Sequence, residues 1–264
     1  MVLQTLIDGC NCTANCPFIS PMPQLQSLGF TPFLIAAVLA RTTLFAADQS
    51  TALFNGKDLS GWKTPVGDWQ TASRISLDPA NNKKFAIEPG PGVLVNGPKG
   101  TTSNLLTDME HGDVEAHIEF VVPKASNSGV YFMGRYEIQV LDSWGVKQPK
   151  YGDCGGVYAS CSDPKPDSKG TPPRVNASKA PGEWQTFDVV FRAPRFDAGG
   201  KKTENAKFIK VVHNGQVIHE NVESPRPTCA AHWLDEKAKG PLMLQGDHGP
   251  VAYYNIMIKA VELP

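Results

Sequence analysis

The stretch SGVYFMGRYEIQVLDS, residues 128–143, sets charged and amide side chains in alternation with apolar ones. Along a strand successive side chains point to opposite faces, so Arg135, Glu137 and Gln139 would share one face while Tyr136, Ile138 and Val140 share the other. A solvated antiparallel strand alternates in the same way. The pattern therefore predicts a strand and leaves open whether its polar face is a site. Its company decides: YGDCGGVYA at 151–159, PGEWQTFDVVFRAPRFD at 181–197 and GPLMLQGDHGPVAYYNIMI at 240–258.

The two-residue period recurs along the chain. Strands are predicted over 85–87, 92–95, 104–106, 114–122, 129–132, 135–141, 184–192, 208–213, 216–219, 242–245 and 251–261. Asn214-Gly215 between two of them is a hairpin signal. Only residues 230–239 read as a short helix. With 24 glycines and 22 prolines as punctuation, many short strands and almost no helix predict an all-β fold, a two-sheet sandwich or jelly roll. The stretches 163–173 and 198–205 read as exposed loops.

At 264 residues and 41% hydrophobic content, the chain can bury a core as one domain, assigned to 48–264. The net charge of −1 and the absence of a basic stripe argue against nucleic acid as a partner. Residues 1–47 differ in composition, carrying only Asp8 and Arg41 as charges. Their apolar run, 33–40, falls short of the roughly 20 residues that span a bilayer, so no stable membrane insertion is expected. It matches instead the apolar centre of a secretory signal, with Ala46 and Ala47 as small residues near a cut. No positive residue precedes the run and Arg41 interrupts the approach to the cut; a start at Met22 gives a more usual length. Export is preferred to a cytoplasmic leader. Cys10, Cys12 and Cys16 in this leader are read as incidental. Among Cys154, Cys161 and Cys229, either Cys154 and Cys161 are bridged and Cys229 is free, or all three are reduced.

LFNGKDLSGWK at 53–63, then NSGVYFMGRYEIQVLDS, GEWQTFDVVFRAPRFD and LQGDHGPVAYYNI, in that order, resemble the 3-keto-disaccharide hydrolase domain family over nearly all of the chain after Ala47. The resemblance implies a concanavalin-like jelly roll, export by bacteria into the periplasm or beyond, and a carbohydrate substrate already oxidised at C3. The fold is shared with laminarinase-like retaining glycosidases, whose site strand carries E-x-D-x-E or a bulged E-x-D-x-x-E. Here Glu137, Gln139 and Asp142 fall at the bulged spacing, and a bulge would turn Asp142 onto the face of Glu137. A retaining enzyme needs two carboxyl groups about 5–5.5 Å apart. Gln139 in place of the middle acid, and the shorter Asp142 in place of the second Glu, disfavour that route.

A ketone at C3 acidifies the C2 proton, so a base can remove it, the C1 substituent can leave, and water can add to the resulting enone. His248 is the first choice for the base, tuned by Asp247. Arg135 or a divalent cation would stabilise the enolate, with Glu137, Asp142 and His248 as candidate ligands; His248 as a ligand could not also be the free base. Gln139, Tyr131, Trp144, Gln245 and Asp247 are expected to hold the sugar. Tyr158 either joins them or packs, and Asp153 with Gly155-Gly156 forms a tight rim loop. Trp62, Trp69 and Trp184 read as core. His111, His117, His213, His219 and His232 have no acid company at metal-ligand spacing and read as surface or core positions. The competing functions are a non-catalytic carbohydrate-binding domain and a retaining glucanase.

Overall fold

Alternating burial along consecutive strands builds two stacked antiparallel sheets. The computed structural model describes residues 50–162, 165–166 and 170–264. The leader, with Cys10, Cys12 and Cys16, lies outside the described residues. The strands are β1 (Thr51–Ala52), β2 (Gln70–Asp78), β3 (Asn81–Val95), β4 (Leu105–His111), β5 (Val114–Val121), β6 (Asn127–Phe132), β7 (Tyr136–Leu141), β8 (Cys161–Ser162), β9 (Lys165–Pro166), β10 (Gln185–Arg192), β11 (Arg195–Phe196), β12 (Lys202–Glu204), β13 (Ala206–His213), β14 (Gln216–Ser224), β15 (Gly240–Leu244) and β16 (Ala252–Ala260).

The larger sheet runs β14-β13-β10-β5-β16-β3-β2, with β1 on β16, and the smaller runs β4-β15-β6-β7. Backbone bonds extend the smaller sheet past β7: Gln139 N–H donates to Gly156 O and Tyr158 N–H to Glu137 O, while Val157 pairs in turn with Thr171. Between the sheets lie Ile118 and Phe120 of β5, Phe187 and Phe191 of β10, Phe208 of β13, and, from the smaller sheet, Val130, Phe132, Tyr136, Ile138 and Val140. Phe132 closes the gap, its ring 5.1 Å from Phe191 and 5.6 Å from Phe208. The period of two thus sends the even-numbered side chains of β6 and β7 into the core and leaves the odd-numbered ones on the outer face.

Most predicted strands are present. Those at 85–87 and 92–95 are one strand, β3, and β2 was missed because QTASRISLD, paired only with β3 at the sheet edge, has too few apolar residues to show a period. No helix forms among the described residues, so the helix expected over 230–239 is absent. That segment is instead drawn across the β6–β7 hairpin: Ala230 takes a positive φ of 60°, and His232 N–H donates to Gly134 O at 2.9 Å. Neither cysteine arrangement holds. Cys154 is a buried free thiol, pushed up to about 12 by that burial, and Cys229 is disulfide-bonded.

Candidate active site

β6 and β7 pair in strict one-to-one register from Asn127↔Leu141 to Phe132↔Tyr136. Tyr131 therefore faces Glu137, and Gly129 faces Gln139, on the outer surface of the small sheet. The row continues across β15 and β4, since Met243 pairs with both Tyr131 and Leu106. Its apolar half, Leu106, Met243 and Tyr131, is packed under Trp233. The polar half stays open as a hollow of about 130 Å³ lined by Asn127, Tyr131, Glu137, Gln139, Tyr158, Cys229, Ala230, Gln245 and His248.

Glu137 lies on the floor, 3% exposed. Burial pushes its carboxyl up to about 8, opposed only in part by a hydrogen bond from the Tyr131 hydroxyl. Among the described residues no lysine or arginine lines the hollow, and burial favours the neutral acid at pH 7. Burial and the neighbouring Glu137 also raise the Tyr131 phenol far above its ordinary value, and Tyr158 shifts the same way for the same two reasons. The carboxyl has room because residue 129 lacks a side chain.

His248 also lines the hollow, its Nδ1 2.5 Å from Asp247 Oδ1 and both side chains about half exposed. A proton on Nδ1 shared with Asp247 leaves Nε2 as the free ring nitrogen. The loop that carries the pair is held from several directions. Gln245 N–H donates to Gly129 O at 2.9 Å, Ser128 Oγ to Gln245 O at 2.8 Å, and Ser126 Oγ to Pro250 O at 2.6 Å. Buried Asn96, just past β3, donates to Gly246 O at 3.0 Å and Gly249 O at 2.8 Å and accepts from Val251 N–H at 2.9 Å.

Residues 49–259 match the family described as a 3-keto-alpha-glucoside-1,2-lyase-like domain. The chain belongs to that family. A candidate glycosyl hydrolase from Parabacteroides distasonis, 26% identical over 81% of this chain and 84% of its own, superposes with a TM-score of 0.61. A second from the same organism, 17% identical over 82% and 96%, gives 0.52 and a likeness of fold alone. No curated protein matches. Family and fold together support a carbohydrate-active enzyme of hydrolase or lyase type.

In this 3-keto-glucoside lyase-like domain the hollow gathers Tyr131, Glu137, Gln139, Gln245 and His248, with Asp247 on His248. Three expected members stand elsewhere. Arg135 is 4% exposed, donating from Nη1 to Met133 O at 2.9 Å, from Nη2 to Asp235 Oδ1 at 2.9 Å and from Nε to Asp235 O, with its guanidinium 5.0 Å above the Trp233 ring. It is an anchor of the 228–236 segment and does not line the hollow. Asp142 is displaced because the expected bulge is absent: without an extra residue, position 142 has the opposite parity to Glu137. Its carboxylate accepts from Ala125 N–H at 2.8 Å and Trp144 N–H at 3.3 Å. Trp144 is 61% exposed beyond the strand end and does not line the hollow.

The proposed cation set Glu137, Asp142 and His248 is accordingly not assembled, and among the described residues no group of three His, Cys, Asp or Glu side chains is placed to hold a metal. Gln139 is tied down, its amide donating to Gly152 O at 3.2 Å and accepting from Val140 N–H at 3.2 Å. Asn127 was missed; its buried Oδ1 has no protein donor, and its place opposite Leu141 could have been read from the hairpin register. His117 pairs with Asp188 at 2.6 Å and Glu119 at 3.5 Å; partial burial opposes them, yet they raise its pKa. It sits in a shallow furrow of about 610 Å³ on the outer face of the large sheet, sharing no residue with the hollow. Among the described residues no helix is long and apolar enough to cross a membrane.

Proposed function

We propose that this chain is an exported enzyme that cleaves 3-keto-glycosides by elimination across C1–C2 followed by hydration. The observation that carries the reading is a buried carboxyl, Glu137, lining one small hollow together with His248, which is paired to Asp247. A module that only held sugar would gain nothing from burying such a group, whereas a proton-transfer site does. The retaining route falls behind because, among the described residues, Glu137 is the one carboxyl lining the hollow, and double displacement needs two.

His248 takes the C2 proton and the electron pair passes to the C3 ketone as an enolate. Neutral Glu137, with the Tyr131 hydroxyl beside it, donates a hydrogen bond to the charge that develops. Collapse of the enolate forms the C1–C2 double bond and breaks the bond from C1 to the leaving oxygen, which takes a proton from His248 or Glu137. Water then adds with its hydroxyl at C1 and its proton at C2. The disulfide at Cys229 fits an oxidising compartment and supports export.

The test is incubation of the protein with a glycoside and its C3-oxidised counterpart in deuterated water. Cleavage of the ketone alone, with deuterium at C2 of the early product and loss of turnover in His248→Ala, is expected. Equal turnover of the unoxidised glycoside, or an unlabelled product, overturns the mechanism.

A further inference from the structure

The outer face of the small sheet is a groove for only half its width. A sugar chain crossing the strands would run along the row Leu106, Met243, Tyr131, Glu137 and on past Tyr158. Its first three members are buried, at 7%, 0% and 1% exposure, under the Trp233 ring. Beyond Tyr158 the described chain offers Tyr151, 5.4 Å from it edge-to-face, and no comparable cover.

Trp233 is partly buried and held from several sides although it belongs to no strand. Arg135 stacks on one face and grips Asp235. Gly134 lies so close that a Cβ there would come within 2.8 Å of the ring. On either side of it in sequence, Thr228 N–H donates to Arg135 O at 2.8 Å and the Tyr136 hydroxyl to Glu236 Oε1 at 2.7 Å. A buried guanidinium with its donors satisfied and an aromatic face beneath it fixes a geometry that a loop alone would not hold.

Resting on the function proposed above, we infer that Trp233 is a plug that makes the groove a blind pocket, so that the enzyme accepts the oxidised ring only at the end of a chain, with the rest of the substrate leaving past Tyr158. Trp233 is then a specificity-determining residue and Arg135 its positioning residue.

The experiment compares a C3-oxidised methyl glucoside with two C3-oxidised tetrasaccharides, one oxidised in its non-reducing terminal ring and one in an internal ring. Wild type should cleave the first two and leave the third. Trp233→Ala, with Trp233→Leu as the variant that keeps an apolar cover over Tyr131 and Met243, should gain internal cleavage by roughly tenfold or more relative to the methyl glucoside. Arg135→Lys should shift the same ratio in the same direction. Internal cleavage by wild type, or an unchanged ratio in folded variants, overturns the plug. If no ketone is cleaved, the function proposed above fails, and the plug is judged by binding of the unoxidised tetrasaccharide. Tighter binding by the Trp233 variants then supports it, and equal or absent binding overturns it.

Discussion

The carboxyl of Glu137 occupies the place that a side chain on Gly129 would take: a Cβ on residue 129 would lie 2.2 Å from Glu137 Oε1 and 2.8 Å from the Tyr131 ring. Gly129 is needed for space rather than for backbone freedom. Gly129→Ala should therefore expel the carboxyl from the floor and abolish turnover while the core-facing residues of β6 keep the sheet paired. Circular dichroism and a turnover assay check both halves.

Glu137→Gln should remove activity and raise stability. A carboxyl held at about 8 in the folded chain against 4.5 unfolded binds more protons folded than unfolded between those values, so its contribution to stability falls as pH rises through that window. The amide has no such penalty. The gain in Tm should be larger at about pH 9 than at about pH 5. Wild-type kcat/KM should decline as pH rises through about 8, where the neutral acid is lost.

Asp142→Asn should retain turnover within a few-fold and lose about 1 kcal/mol of stability, through the weakened bonds from Ala125 and Trp144. Urea denaturation alongside kinetics measures both. Loss of activity at unchanged stability would restore Asp142 to the chemistry.

Acid should destabilise the sandwich through two buried histidines. Burial lowers His111 and His213 from 6.5 to about 4. In each case the unfolded chain binds the extra proton first, so stability is complete above about 6.5 and is lost as pH falls toward about 4. His213 Nε2 donates to Gln185 Oε1 at 3.0 Å and its Nδ1 has no partner. In His213→Gln the fall in urea midpoint between about pH 7 and pH 5 should be shallower than in wild type.

Asn96→Ala should be the most disruptive small change outside the core, costing about 3 kcal/mol. It leaves Gly246 O, Gly249 O and Val251 N–H without the amide that joins them. Differential scanning calorimetry reads the loss.

Alternation was enough to place Glu137 and Gln139 on one face, because a period of two survives in any strand whose other face is buried. It did not place Asp142, since a bulge leaves no mark in a single sequence and only the observed register excludes one. Arg135 carried the same sign and the same face by parity as a catalytic cation would. Its capture by Asp235 and Trp233 depends on a contact spanning 100 residues that no local pattern encodes. The segment 230–239 failed for a related reason: alanine, lysine and glutamate favour a helix locally, but the hairpin tip and the Arg135 guanidinium hold the chain in an irregular run of turns and bends.

Asn96 follows a strand of the large sheet, yet its amide clasps both ends of the loop bearing His248. The imidazole therefore rides on the large sheet as well as on the small one, and the two layers cannot separate without dismantling the hollow. Heating should leave turnover intact until the whole sandwich gives way, so that thermal inactivation and global melting fall together.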